Sequence, residues 1–488
     1  MGEELTPFRA KFNGSLRFEA RPERLTADSG ALLLRDLMER MGLVKWLSDR
    51  LVDSRDPDLV THPFIELTTT MLLLLAQGWR DQDDADVLRH DSAWRLAVSQ
   101  RRGTSPLKRR VREPGKELPH NPPVPDGLAS QPTLSRHTAA LSTSENQEFL
   151  RESLLETAAR RIRMMRGGRR LRYVTLDVDS LPIDVHGHQP GSAYNGYYHR
   201  RVYHPLICNI AQTGDVVDAR LREGQVHTAA GGLSFILSVI ERVEKSLCQV
   251  ASVRFDAGFP EDELLCGLED RMTGYVARVK NNAVLNKMAA PYLKRPPGRP
   301  PFAPRTWTYE MSYKAGVWTR ERRVVLVVLE RPGELFLHHF WLITNWTEEQ
   351  MNALDLLELY RERGTAEGHY GELLDVLAPA LSSSSRTKSH YRNRAPVNRT
   401  DPVDGFAQNE TILLLNLLAY NIMHAARKLV ARATGKGWSI RRLRERVLRV
   451  PARIVVSARY ATVVISREAA PMWQDLCTQL ARLPPAPI

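Results

Sequence analysis

A chain of 488 residues with 43% hydrophobic side chains is long enough for roughly three domains with real cores. Its formal charge of +13 and pI near 9.7 favour a polyanionic partner, nucleic acid first and an anionic membrane surface second. Four distant cysteines, Cys208, Cys248, Cys266 and Cys477, exclude a disulfide framework or a C-x-x-C zinc site and suit a reducing cytosol. The polar start, Met1 to Gly14, predicts no secretory signal, and apolar runs such as Met71 to Ala76 are too short to span a bilayer.

Residues Phe8 to Ala27 alternate loosely and predict a short strand or arm. From Ser29 to about Gln100 the period is helical, through Leu32 to Leu37, Leu43 to Leu47 and Ile65 to Leu75. The aspartates Asp81, Asp83, Asp84 and Asp86 read as a solvated helix face. Arg101 to Gly127 is basic and proline-rich and predicts an exposed linker able to lie on phosphates. Ser130 to Arg136 opens a helix in which Arg136 can read base edges or clasp phosphates; a capped surface helix is the equal alternative. Ser144 to Met165 predicts a helix with Ser144 as N-cap, and Arg160 to Arg172 is a basic run.

After Gly167-Gly168 the pattern turns to strands: Leu171 to Ser180, Leu181 to His186, Val202 to Ile210 and Val216 to Leu221. Helices over Ala229–Lys245 and Glu261–Arg271 alternate with strands over Ala251–Asp256 and Tyr275–Val279. That order predicts a mixed sheet covered by helices. The proline-rich stretch Ala283 to Pro304 reads as a loop. The segments Thr306–Ser312, Glu321–Leu329 and Leu335–Thr344 are β-rich and look like an insertion. A polar loop, Leu381 to Asp404, precedes an apolar helix, Ile412 to Leu429. The stretch from Arg427 to Arg467 is densely basic with one acid, Glu445.

Candidate chemistry lies in the carboxylates. Asp177 and Asp179 are two apart in an apolar strand, so they share a face. Buried without partners they would be costly, so they meet solvent or hold a cation. Asp256 ends a strand before a turn, a frequent place for function in an open α/β sheet. Tyr360, Arg363 and Glu367, spaced by three and four residues, share one face on a helix. Three carboxylates from two strands and a helix can bind Mg²⁺ through oxygen, and two such ions can cut a phosphodiester.

The ordered set Leu176-Asp177-Val178-Asp179-Ser180, His186-Gly187-His188-Gln189, Arg254-Phe255-Asp256-Ala257-Gly258-Phe259 and Tyr360-x-x-Arg363-x-x-x-Glu367 resembles the DDE transposases of bacterial insertion sequences, most closely insertion-sequence family 1380. Leu342 to Asn345, Ala407-Gln408-Asn409 and Leu418-Ala419-Tyr420-Asn421 carry the likeness too, which runs from Phe12 to about Ile465. The resemblance implies an α/β multidomain chain with an RNase H-like mixed-sheet catalytic core, a β-rich insertion and helical N-terminal and C-terminal regions. The expected divisions are 1–145 (with a basic linker at 101–127), 146–282, 283–346 as the insertion, 347–430 and 431–488.

It further implies Asp179, Asp256 and Glu367 as catalytic ligands of Mg²⁺, with Mn²⁺ able to substitute. Asp179 is taken as the first ligand because Ser180 follows it, and Asp177 is the alternative. The implied activity is hydrolysis at transposon ends and transfer of the 3′-hydroxyl to target DNA. Tyr360 and Arg363 would contact phosphates near the cut, and Trp318 would stack on a displaced base, a plain core tryptophan being the alternative. The implied partner is double-stranded DNA in a bacterial, nucleoid-associated cytoplasm, held by a homodimer. Alternatives are a nuclease of the same fold and a DNA-binding repressor with an impaired site. The chain departs from related enzymes at Leu374, where a lysine is usual.

Overall fold

The computed structural model describes residues 3–4, 11–16, 19–57, 60–107, 127–167, 169, 171–299, 301–392 and 395–484. Most of the expected basic linker (108–126), part of the expected N-terminal arm, Arg170 and the side chains of the basic stretch Arg386 to Arg399 lie outside the described residues. The chain forms two compact units, Met1–His137 with Ala425–Ile488, and Thr138–His424. The N-terminal region and the C-terminal region fall in one unit.

That first unit is built on helices Gly30–Arg40, Leu43–Arg50, Phe64–Gln77 and Ser92–Val98. Leu34, Leu37, Met38, Leu47, Leu72 and Trp94 fill its core. The buried Asp28 carboxylate accepts the indole N–H groups of Trp79 (2.9 Å) and Trp94 (3.4 Å), so burial leaves it satisfied. The strand Leu25–Thr26 joins the hairpin Ala452–Val456/Ala461–Ile465. Two arginines of the basic tail serve the fold. Arg444 donates to the carbonyl of Ala76 (3.0 Å) and Arg449 to that of Gln77 (3.1 Å), closing the carbonyl end of a helix that ends in Gly78 at φ 91. Burial, and then the nearby Arg449 and Arg80 charges, pull the Arg444 guanidinium down to about 10.

The second unit begins with α1 (Ser144–Met165). Its cap is Thr143 rather than Ser144: Thr143 has the extended backbone, and its hydroxyl accepts the Asn146 N–H at 3.3 Å. Then come β1 (Tyr173–Ser180), β2 (Leu206–Ile210), β3 (Val216–Arg220), α2 (Gly232–Ser246), β4 (Gln249–Phe255), α3 (Asp262–Asp270) and β5 (Gly274–Val279). The loop expected over Ala283 to Pro304 starts instead as a short helix, α4 (Ala283–Ala289), capped by Asn282; its prolines begin only at Pro291. β6 (Arg305–Tyr313), β7 (Arg322–Glu330), β8 (His338–Thr344), α5 (Ala353–Arg361), α6 (Gly364–Glu372) and α7 (Gly405–Thr434, of which the residues up to His424 belong to this unit) follow. The polar loop expected before α7 carries a paired hairpin, Arg386–Arg392 with Ala395–Val403, which its side-chain pattern does not announce.

The sheet order is β6-β7-β8-β5-β4-β1-β2-β3. β1, β4 and β5 run parallel, β2 and β3 are antiparallel additions at one side, and β8 pairs antiparallel with β5. The β-rich segment thus continues the sheet. Val174, Leu176 and Val178 point to the face covered by α1, α2 and α3, with Phe235, Ile236, Val239 and Ile240 of α2 fully packed there. Each such side chain contributes about 1.5–3 kcal/mol on burial. The opposite face takes Asp177 and Asp179 by strand alternation. α5 packs on that face through Leu356 and Leu357 against Val276, Val325, Val327 and Leu342.

Buried ion pairs tie α1 to β3. Arg151 takes both Asp218 oxygens at 2.9 and 2.8 Å, and Arg161 pairs with Asp215. The basic run from Arg160 is therefore partly structural. Two asparagines of the downstream motifs act likewise. Asn421 bonds both backbone groups of Val216, extending the sheet edge, and Asn409 bonds Ser383 and the Tyr203 hydroxyl.

Candidate active site

The site lies where β1 and β4 end. In their parallel register Phe255 faces Val178, so the next residues, Asp256 and Asp179, are level on adjacent strands about 4.8 Å apart. On the far side of β4, Phe255 is level with Ala277 of β5, which sets Arg278 level with Asp256 on the same face. Three chemical groups thus form a row across three parallel strand ends: Asp179, Asp256 and Arg278.

Asp179 accepts the Ser180 N–H at 2.9 Å and an Arg363 N–H at 2.6 Å. Burial pushes its carboxyl up to about 6; Arg363 opposes this, while Asp256 and Glu367 add to it. Asp256 accepts the Gly258 N–H at 2.8 Å. Gly258 has no room for a side chain: a Cβ would lie 2.7 Å from the Thr228 methyl.

Asp177 has a different task. It sits opposite Arg254 in the β1–β4 register, and the guanidinium takes its two oxygens at 2.6 and 2.8 Å. The same Arg254 donates to the Leu359 carbonyl at 2.6 Å and to Glu362 at 3.2 Å, fixing the end of α5. The expectation that Asp177 meets solvent or holds a cation is therefore corrected. Its cation is a covalent part of the chain, and the pair is buried.

The third motif is broken where a continuous helix was expected. α5 ends at Arg361 and α6 begins at Gly364. Arg363, at the break, is buried and turned inward. Its guanidinium bridges Asp179 (2.6 Å) and Glu367 (2.8 Å). Glu367 is 62% exposed. α6 is anchored by Tyr370, whose hydroxyl donates to Asn209 of β2 beneath it. Tyr360 lies half-buried beside the Phe340 ring, and burial pushes its hydroxyl up. Arg278 stands over the same Phe340 ring at 5.2 Å, exposed to solvent and without a carboxylate partner among the described residues.

Among the described residues, no three of His, Cys, Asp and Glu are grouped closely enough to hold a metal ion. Asp179 and Asp256 carry oxygen donors of the hard kind that Mg²⁺ takes, and the Arg363 guanidinium stands between Asp179 and Glu367. One expected DNA contact is closed off. Trp318 is 6% exposed in the core, edge-on to Tyr313 at 5.5 Å and beneath Arg322 at 5.3 Å, so its indole offers no open face to a base. Arg136 belongs to the first unit, where it is exposed and bonds Thr133 at 3.1 Å. Leu374 is half-buried in the π-helical turn Leu373–Leu377. Sequence reasoning missed Arg278, Tyr370 and Arg254; the register alone reveals the first and third, since residues level on parallel strands are distant in sequence.

No helix among the described residues is long and apolar enough to cross a membrane. No curated protein sequence matches the chain. Among solved structures, it is similar to a piggyBac transposase seen by cryo-electron microscopy as a synaptic complex with hairpin DNA. The two are 13% identical, with 86% of this chain and 79% of that chain covered and a TM-score of 0.40. The family model described as transposase DDE domain, group 1, matches residues 8–487. On that match, spanning nearly every residue, the chain belongs to the DDE transposase family.

Proposed function

We propose that the chain is an insertion-sequence transposase, of the family 1380 kind, that cuts double-stranded DNA at its element's ends and joins the freed 3′-hydroxyls to target DNA. The observation that carries this reading is the level pair Asp179 and Asp256 at adjacent parallel strand ends, with Arg363 and Glu367 brought over them by α6. The antiparallel set β1-β2-β3 flanked by parallel β4 and β5 supports an RNase H-like core. The net charge of +13 supports DNA as the partner. A homodimer on paired ends, in the bacterial cytoplasm, completes the proposal.

Asp179 and Asp256 would hold Mg²⁺, or Mn²⁺ in its place, with Glu367 joining when Arg363 turns aside. A bound ion of this kind supplies activation of the attacking oxygen and stabilisation of the leaving one. The chain's own residues do the rest. Arg278 and Tyr360 seat the phosphate beside the carboxylates, and Arg254 holds α5 and the break that presents Arg363.

The test is end cleavage and strand transfer on DNA carrying the element's inverted repeats. Asp179→Ala, Asp256→Ala and Glu367→Ala should each abolish cutting while binding persists, and pairs of them should be little worse than one. Ca²⁺ should permit binding without cutting. Normal cutting by all three variants would end the transposase reading. Cutting without joining would leave a nuclease.

A further inference from the structure

The eight-stranded sheet treats its two edges differently. At one edge, β3 is closed by side chains of α7. The Asn421 amide bonds both the N–H and the carbonyl of Val216, at 3.0 and 2.7 Å, and the Glu410 carboxylate accepts the Leu221 N–H at 3.2 Å. The other edge is β6. It pairs with β7 without a register shift, from Arg305 opposite Glu330 to Tyr313 opposite Arg322, whereas the β1–β4 and β2–β3 pairings each carry a shift. Among the described residues, no group outside the β6–β7 ladder bonds the β6 main chain.

A long open edge is a hazard that proteins blunt with lysine, proline, a β-bulge or a covering element. β6 reads Arg-Thr-Trp-Thr-Tyr-Glu-Met-Ser-Tyr, with neither lysine nor proline. Trp307, Tyr309 and Met311 pack on the core of the sheet, and Thr306, Thr308, Glu310 and Ser312 take the opposite face. The one acid is neutralised: Arg323 of β7 takes both Glu310 oxygens at 2.6 Å. Exposed apolar side chains flank the strand. Phe302, fully exposed, precedes it, and Val317, 85% exposed, follows it. Main-chain groups ready to pair, neutral side chains and apolar ends together fit another strand.

We propose that β6 pairs antiparallel with β6 of a second copy of this chain, joining two sheets into one across a two-fold axis. The contact needs no DNA, and it goes beyond the paired-end homodimer of the transposase reading. The occupant follows from self-complementarity. Pairing centred on Tyr309 sets Thr306 opposite Ser312, Trp307 opposite Met311 and Thr308 opposite Glu310. Facing residues share a face of the joined sheet, so apolar meets apolar and polar meets polar. Arg305 falls opposite Tyr313, and no like charges face each other. The Phe302 end of each strand comes to the Val317 end of the other, which covers both. Because the same edge meets itself, the assembly closes at two copies. β6 stands four places from β4 in the sheet, so Asp179 and Asp256 stay open in both.

The test uses the full chain without DNA. Sedimentation velocity over a concentration series should show a reversible monomer–dimer equilibrium, as so short a seam predicts. Proline is then placed singly at Thr308 and at Tyr309. Neighbouring N–H groups on a strand point to opposite sides, so one of the two prolines faces the seam and spares the β7 ladder. That variant, recognised by a melting curve near that of the wild type, should dimerise about tenfold more weakly. Tyr309→Cys gives a second readout. Facing Cα atoms of an antiparallel pair lie about 4.5–5.5 Å apart, within disulfide reach, so mild oxidation should link the two copies. The wild type, whose exposed cysteine among the described residues is Cys477, is the control. If both prolines unfold the chain, the disulfide decides. A wild type that stays monomeric, a dimer untouched by the seam-facing proline, or a dimer that Tyr309→Cys does not link overturns the proposal. The transposase reading fails separately, if the element's ends are not cut in an Asp179-dependent way.

Discussion

Asp177 and Arg254 lie level on neighbouring parallel strands, and the guanidinium closes on both carboxylate oxygens within a buried interface. Removing one member strands the other charge. Asp177→Ala or Arg254→Ala should therefore cost about 3–5 kcal/mol of stability, seen in urea or thermal unfolding. Replacing both by apolar residues of similar size should recover most of it. Asp179→Ala should lose cleavage with little loss of stability. If Asp177→Ala instead folds like wild type and only fails to cut, Asp177 has a chemical role after all.

Arg363 touches two of the three expected catalytic carboxylates. Arg363→Ala should slow end cleavage about a hundredfold and leave affinity for paired DNA nearly unchanged, since the basic surfaces elsewhere keep it. Gel-shift and cleavage assays on one substrate separate the two. Equal losses would reduce Arg363 to an ordinary phosphate contact.

Arg278 is held over Phe340 and has no carboxylate partner among the described residues. A guanidinium fixed in this way is ready for a phosphate. Arg278→Ala should weaken DNA binding and lower the slope of log affinity against log salt by about 1. An unchanged slope would remove Arg278 from the DNA path.

His137 is fully buried beside Phe64 and Thr68. Thr68 spends its hydrogen on the Phe64 carbonyl, so the His137 Nε2 donates to Thr68. Burial, and then the Arg55 charge, pull its pKa to about 3 from an ordinary 6.5. The unfolded chain takes up this proton first, so stability should fall as pH drops from about 6.5 toward 3, by up to about 1.4 kcal/mol per unit. Unfolding curves across that range should show the loss, and His137→Gln should flatten it.

Local pattern along the chain carried the motifs and most of the elements, though not the helix Ala283–Ala289 or the hairpin Arg386–Arg392 with Ala395–Val403. The switch to strands after Gly168, the alternation around Asp256, and Asp179 before Ser180 are local patterns, carried by period and by neighbours along the chain. Short-range reading failed where polar residues were satisfied by distant partners. Nothing near Asp177 announces that Arg254 lies level with it, and nothing near Arg444 announces the open carbonyls of Phe64–Gln77. A helical spacing joined Tyr360 to Glu367, yet the chain breaks at Arg363, which can then reach Asp179. Only tertiary structure decides which carboxylates are neutralised by the chain itself and which remain for chemistry. The cost of burying a charge depends on what stands across the sheet, and strand register, set by the packing of a whole core, chooses that neighbour.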